Sequence, residues 1–133
     1  MAFQYSTTLR NNKLNTIDTT VGSSAVLKIF SGAEAANCAA ADPSGLLATI
    51  TLPASPWASA SSGAIALSGS WSVAASGTGT AASFRIYDGS ANCHIQGNVT
   101  ATGGGGDMTL DNTSINSGQT VTVTSFTITS GNA

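Results

Sequence analysis

Apolar side chains recur at every second position along most of this chain, the period of a strand with one buried face. The clearest stretch covers residues 83–99. Phe84 and Ile86 alternate with Arg85 and Tyr87, the chain turns through residues 88–92, and it returns with Cys93, Ile95 and Val99 on one side and His94, Gln96 and Asn98 on the other. The intervening Asp-Gly-Ser-Ala-Asn consists of turn formers, so the stretch predicts a β-hairpin. Upstream, residues 25–31 turn Ala25, Leu27 and Ile29 one way, and residues 46–52 turn Leu46, Ala48, Ile50 and Leu52 inward. Residues 64–75 hold one alternation through Ile65, Leu67, Trp71 and Val73, with Gly69 placed to bend or split it. Downstream come a short strand at 108–111 and a longer one at 120–129. In the latter the apolar phase moves from odd positions (Val121, Val123) to even ones (Phe126, Ile128). A regular strand cannot bury both pairs on one face, which predicts a bulge near Thr124–Ser125.

Only residues 6–21 show helical spacing, with Leu14, Ile17 and Val21 on one stripe. Ser6 or Thr7 suits the N-cap and Gly22 the C-terminal cap. The helix is expected to cover an edge or open end of the sheets. About eight strands without βαβ alternation predict an all-β fold. The best match is a jelly-roll-like antiparallel β-sandwich, one domain spanning 1–133 with one short N-terminal helix. An immunoglobulin-like sandwich is the second choice, suggested by the order Cys38, Trp71, Cys93, but Cys38 falls in a loop and fits that pattern poorly.

The chain is unusually poor in charge. Only 8% of residues are Asp, Glu, Lys or Arg, with four basic side chains and a net charge of −2. Clustered cations for phosphate or an anionic membrane surface are missing, which argues against nucleic-acid and membrane partners. A surface of Ser, Thr, Asn, Gly and Ala carries little charge repulsion and costs little to cover with another protein. The N-terminus lacks the basic-then-apolar pattern of a signal peptide, and no apolar run is long enough to span a membrane. Synthesis in a reducing cytoplasm is therefore expected, with Cys38 and Cys93 as free thiols and a disulfide between them as the alternative.

Candidate chemistry is sparse. His94 is the only histidine, with Asp88 across the turn, and no Gly-x-Ser-x-Gly elbow accompanies it. The four glycines at 103–106 lack the Gly-Lys-Ser/Thr ending of a phosphate loop. Asp107 and Asp111 have no third carboxylate at calcium-loop spacing. No catalytic residue, metal or cofactor is expected. The candidates for protein contacts are Phe30, Trp57 and the face of the hairpin that carries Arg85, Tyr87 and His94. That face looks outward unless the helix covers it through Asp18. Trp57, in a Pro/Ala/Ser loop, either plugs one end of the sandwich or anchors a partner.

Four stretches carry a resemblance across nearly the whole chain: Leu9-Arg10-Asn11-Asn12-Lys13-Leu14; residues 24–32; Phe84-Arg85-Ile86-Tyr87-Asp88 with Cys93-His94-Ile95-Gln96-Gly97; and residues 103–116. Together they resemble a family of small structural proteins of tailed bacteriophages and prophages. The resemblance implies a head decoration, or cement, protein on the capsid exterior. It would bind the major capsid protein, self-associate as a dimer or trimer, and have no enzymatic activity. A tail, collar or fibre-associated virion protein is the nearest alternative. A carbohydrate-binding β-sandwich, with Trp57, Tyr87 and Trp71 as stacking platforms, is the other.

Overall fold

A computed structural model describes residues 3–131. One helix, α1 (Thr7–Val21), precedes β1 (Val26–Phe30), β2 (Leu46–Thr51), β3 (Ala64–Ala66), β4 (Ser72–Ala74), β5 (Gly79–Thr80), β6 (Ser83–Tyr87), β7 (Cys93–Ala101), β8 (Met108–Leu110), β9 (Ser114–Ile115) and β10 (Thr120–Thr129). The main sheet runs β2-β1-β6-β7-β8-β10-β3, with β4 also on β10, and β5 pairs with β9 separately. The sheet curls so that its two halves face each other. Phe84 of β6 meets Phe126 of β10 edge-on with ring centroids 5.3 Å apart, and Trp57 and Trp71 complete the aromatic cluster, 5.7 Å from each other. The fold is all-β and sandwich-like, as the alternation predicts. It departs from a purely antiparallel arrangement at one pair, since β7 and β8 run parallel.

β10 joins the most partners. Its first residues pair with β4, its middle with β8 on the opposite edge, and its last three with β3. The predicted bulge is present: the register with β8 shifts between Val123 and Ser125, so Val121, Val123 and Phe126 are all buried. The 64–75 stretch is split into β3 and β4 around Gly69, whose φ is +77°. The inward set of β2 differs from expectation. A register shift opposite Ile29 and Phe30 leaves Leu47 unpaired. Leu47 is therefore buried beside Ala48 and Ile50, while Leu46 is exposed.

Ser6 caps α1 by accepting a hydrogen bond from the Leu9 N–H at 3.1 Å, and the Gly22 N–H closes the other end on the Asp18 carbonyl at 3.1 Å. Only Leu14 and Val21 of the helix are buried, so polar contacts do much of the docking. Arg10 Nε donates to the Ser130 carbonyl at 2.8 Å, and Asn11 and Asn15 accept from the Gly63 and Ala60 N–H groups, both at 2.9 Å. Gly63 sits at φ +74°, and a Cβ there would stand 2.2 Å from the Arg10 guanidinium. The helix thus covers the β3 end of the sheet, as expected.

Candidate functional site

β6 is buried at all five positions. Phe84 and Ile86 enter the main core, whereas Ser83, Arg85 and Tyr87 point to the other side of the sheet. The expectation that Arg85 and Tyr87 face outward, free for subunit contacts, is corrected here. Arg85 is 2% exposed and Tyr87 5%, and what covers them is the chain's own segment 32–45 rather than the helix and Asp18. The Arg85 guanidinium uses all five of its N–H donors. Nη1 reaches the Ala40 carbonyl and Asp42 Oδ1, both at 2.9 Å. Nη2 reaches the Asn37 carbonyl at 2.9 Å and Gln96 Oε1 at 3.1 Å, and Nε also meets Gln96 Oε1 at 3.2 Å. Tyr87 donates its hydroxyl to Asp42 Oδ1 at 2.5 Å, and the Gln96 amide donates to the Ala35 carbonyl at 2.6 Å. Lys28 lies over the Tyr87 ring at 4.9 Å and 3.7 Å from Asp42 Oδ2. The Tyr87 hydroxyl, and after it Arg85 and Lys28, hold the Asp42 carboxyl below its usual range, although partial burial opposes them. Burial, reinforced by the Asp42 carboxylate, pushes the Tyr87 phenol upward. This is a charged latch that fastens a loop to a sheet.

The other candidates scatter. Phe30 is 2% exposed on the same covered face, paired with Ser83 and outside the main core cluster. Trp57 is 4% exposed and plugs the aromatic cluster, which settles the plug-or-anchor choice for this residue. Trp71, Trp57 and Tyr87 are all buried, so none offers an open face on which a sugar ring could stack. His94 does not share the Arg85 face. The β6–β7 register shifts after Ile86, which makes His94 the extra residue of a bulge and brings Cys93, rather than His94, opposite Tyr87. That places Cys93 with Arg85 and Gln96 instead of on the apolar side. His94 Nε2 meets Asp88 Oδ2 at 2.9 Å. Asp88 also accepts from Asn92 and from the Ser90 N–H. The contact with His94, then these bonds, hold its carboxyl far below the usual range. The pair closes the hairpin turn. Among the described residues, no three His, Cys, Asp or Glu side chains stand close enough to hold a metal ion. No described helix is long and apolar enough to cross a membrane.

A groove that the sequence reading did not find lies between β7 and β10. β8 is three residues long, but its neighbours are nine and ten. Pairing of β7 with β8 starts at Val99, and pairing of β10 with β8 ends at Phe126. Beyond these points, the first half of β7 faces residues 127–129 of β10 with no strand between them. A groove of about 410 Å³ occupies the gap, floored by Phe84 and Phe126 and walled by Ile17, Ile95 and Ile128. Asp107 marks its end. There the chain leaves the strand path through a reciprocal pair of bonds, Asn98 N–H to Asp107 Oδ2 at 3.1 Å and Asp107 N–H to Asn98 Oδ1 at 2.8 Å. Gly97 permits this approach, since a Cβ would stand 2.7 Å from both Asp107 Oδ2 and a Phe84 ring carbon. The 100–107 connection, expected to be flexible, is tied down by these bonds and by the Gly106 N–H on Thr100 Oγ1 at 2.9 Å. The unequal lengths of the last strands were the available signal for the groove. No protein-family model, no curated protein and no solved structure matches this chain.

Proposed function

We propose that this chain is a structural, protein-binding subunit that decorates the outside of a tailed-phage head and ties neighbouring copies of the major capsid protein together. The observation that supports this reading best is the unfilled strand position between β7 and β10. An extended backbone laid there would continue the sheet on both sides, with alternate side chains entering the apolar floor. Among the described residues, the only charged group at the groove is Asp107, whose carboxylate already accepts from the Asn98 N–H. The complementary occupant is therefore an uncharged extended segment with alternating apolar residues, supplied in this reading by an arm of the capsid protein. The resemblance to small phage structural proteins supplies the location, and the low-charge surface suits close packing in many copies on a lattice, where repetition multiplies weak contacts. In this reading the protein has no enzymatic role.

The test is a phage lacking the gene. Purified wild-type heads should contain the chain in a fixed ratio to the capsid protein, and heads from the deletion should package DNA but break at lower temperature or after osmotic shock. Absence from wild-type heads, or unchanged particle stability, would refute cementing. Recovery in tail fractions alone would transfer the role to the tail. Ile128→Lys, which places a charge on the groove wall, should lower occupancy on heads by at least tenfold while the isolated subunit still melts within about 4 °C of wild type, a shift of roughly 1 kcal/mol.

A further inference from the structure

The covering loop and β7 also bring together two side chains that the partner reading does not use. Cys38 lies in the 32–45 segment and Cys93 opens β7. Both are partly buried, and their Sγ atoms stand 2.7 Å apart. Two unbonded sulfurs do not rest this close, and a further approach of roughly 0.7 Å reaches the ~2.05 Å of a disulfide. Arg85 secures the loop on both sides of Cys38, through the Asn37 and Ala40 carbonyls at 2.9 Å each. Asn37 Oδ1 shapes the intervening turn by accepting from the Ala39 and Ala40 N–H groups at 2.9 and 3.1 Å. The latch itself therefore presents Cys38 to Cys93. We propose that Cys38 and Cys93 form an oxidisable dithiol, a modification site at which a small disulfide oxidant installs an intrachain bond that fastens the covering loop to β7.

The Cys38 thiolate attacks one sulfur of a low-molecular-weight disulfide RSSR and expels RS⁻, which leaves a mixed disulfide on Cys38. Cys93 loses its proton and attacks Cys38 Sγ, and the second RS⁻ leaves. Two protein thiols become one disulfide, RSSR becomes two RSH, and the two protons end on the released thiolates. Burial first, and then the Cys38 thiol, push Cys93 up to about 12, which keeps it a protonated thiol until the mixed disulfide on Cys38 stands beside it. The nearby Arg85 charge opposes that rise and favours its thiolate as it attacks. In a reducing compartment the pair stays as two thiols, and the bond forms once the protein leaves it.

The probe is glutathione disulfide, applied to the purified full chain, followed by intact mass, thiol titration in denaturant, a non-reducing gel and thermal melting. The expected product is a monomer that has lost two hydrogen atoms, retains no glutathione, has no free thiol and melts at least about 5 °C higher than the reduced protein, all reversed by reductant. Retention of two glutathiones per chain, disulfide-linked dimers, or an oxidised form that melts lower would overturn the proposal. In Cys93→Ser, one glutathione should remain trapped on Cys38, and failure to trap it would overturn the exchange route.

Discussion

Replacing Arg85 by Met keeps most of the side-chain volume and deletes the guanidinium from the latch. Five hydrogen bonds disappear, to the Asn37 and Ala40 carbonyls, Asp42 and, twice, Gln96. Breaking a fully buried charge pair costs about 3–5 kcal/mol. The Asp42 side chain is 41% exposed, however, so water takes up part of its lost partner. The carbonyls belong to a loop that can lift into solvent, which caps the penalty near the cost of releasing it. A loss of about 2–4 kcal/mol remains, or roughly 6–14 °C in melting temperature for a domain of this size. Calorimetry reads the first effect. Amide exchange reads its location: residues 33–44 should exchange much faster, while β8 and the middle of β10 keep their protection. Arg85→Lys, with one compact cation in place of a planar fork, should fall in between. A melting temperature within about 2 °C of wild type, with unchanged protection of 33–44, would refute the latch and return Arg85 to the role of a surface group.

The remaining expectations are quickly tested. Asp42 titrates below its usual range when folded, so its contribution is fully present above the ordinary carboxylate pKa and is lost as pH falls through the lowered folded value. Exchange protection of 33–44 should therefore collapse in acid, and Asp42→Asn should abolish that pH dependence. Gly63→Ala forces a side chain into a left-handed position against Arg10 and should cost about 1–3 kcal/mol in urea unfolding; a neutral result would show that Arg10 is free to move aside. A broad screen for esterase, glycosidase and phosphatase activity should be negative; an activity abolished by His94→Ala would overturn the non-enzymatic reading. Protein purified from a reducing cytoplasm and unfolded without any reductant should titrate with two thiols per chain, and finding none would refute the expectation of free thiols.

Alternation made the hairpin, the split at Gly69 and the bulge in the last strand legible, because each is a local consequence of which side chains must share a face. The capped helix was legible for the same reason: Ser6 and Gly22 act on backbone groups a few residues away. What failed was non-local. The bulge at His94 turns Cys93 to the Arg85 side while Ile95 and Val99 keep the apolar one, and nothing in Cys93-His94-Ile95 announces it. The bulge at Leu47 hid in a run of apolar residues for which either phase looked equally buried. The covered face was missed because a loop of small residues at 32–45 reads as solvent-exposed. The available clue was chemical: with so few charges, an Arg in a strand needs a carboxylate, and Asp42 stands in that loop. The groove escaped because a gap between two strands has no residue pattern of its own; only the short β8 between the long β7 and β10 points to it.

The position of β10 bears on how the chain is made. Its partners β3, β4 and β8 all precede it in sequence, and just past its last residue the Ser130 carbonyl receives Arg10 of the helix. During synthesis, β3 and β4 leave the ribosome with no β10 to pair with, and β8 has only β7. The hairpin and β1–β2 can form early, but half of the sheet waits as open edges until the final strand emerges. Such non-local closure is slow, and it leaves apolar strands exposed to neighbours on the same polysome. Moving β10 to the front of the chain by circular permutation should shorten that interval and raise the yield of folded subunit, because each later strand would then meet its template as it appears.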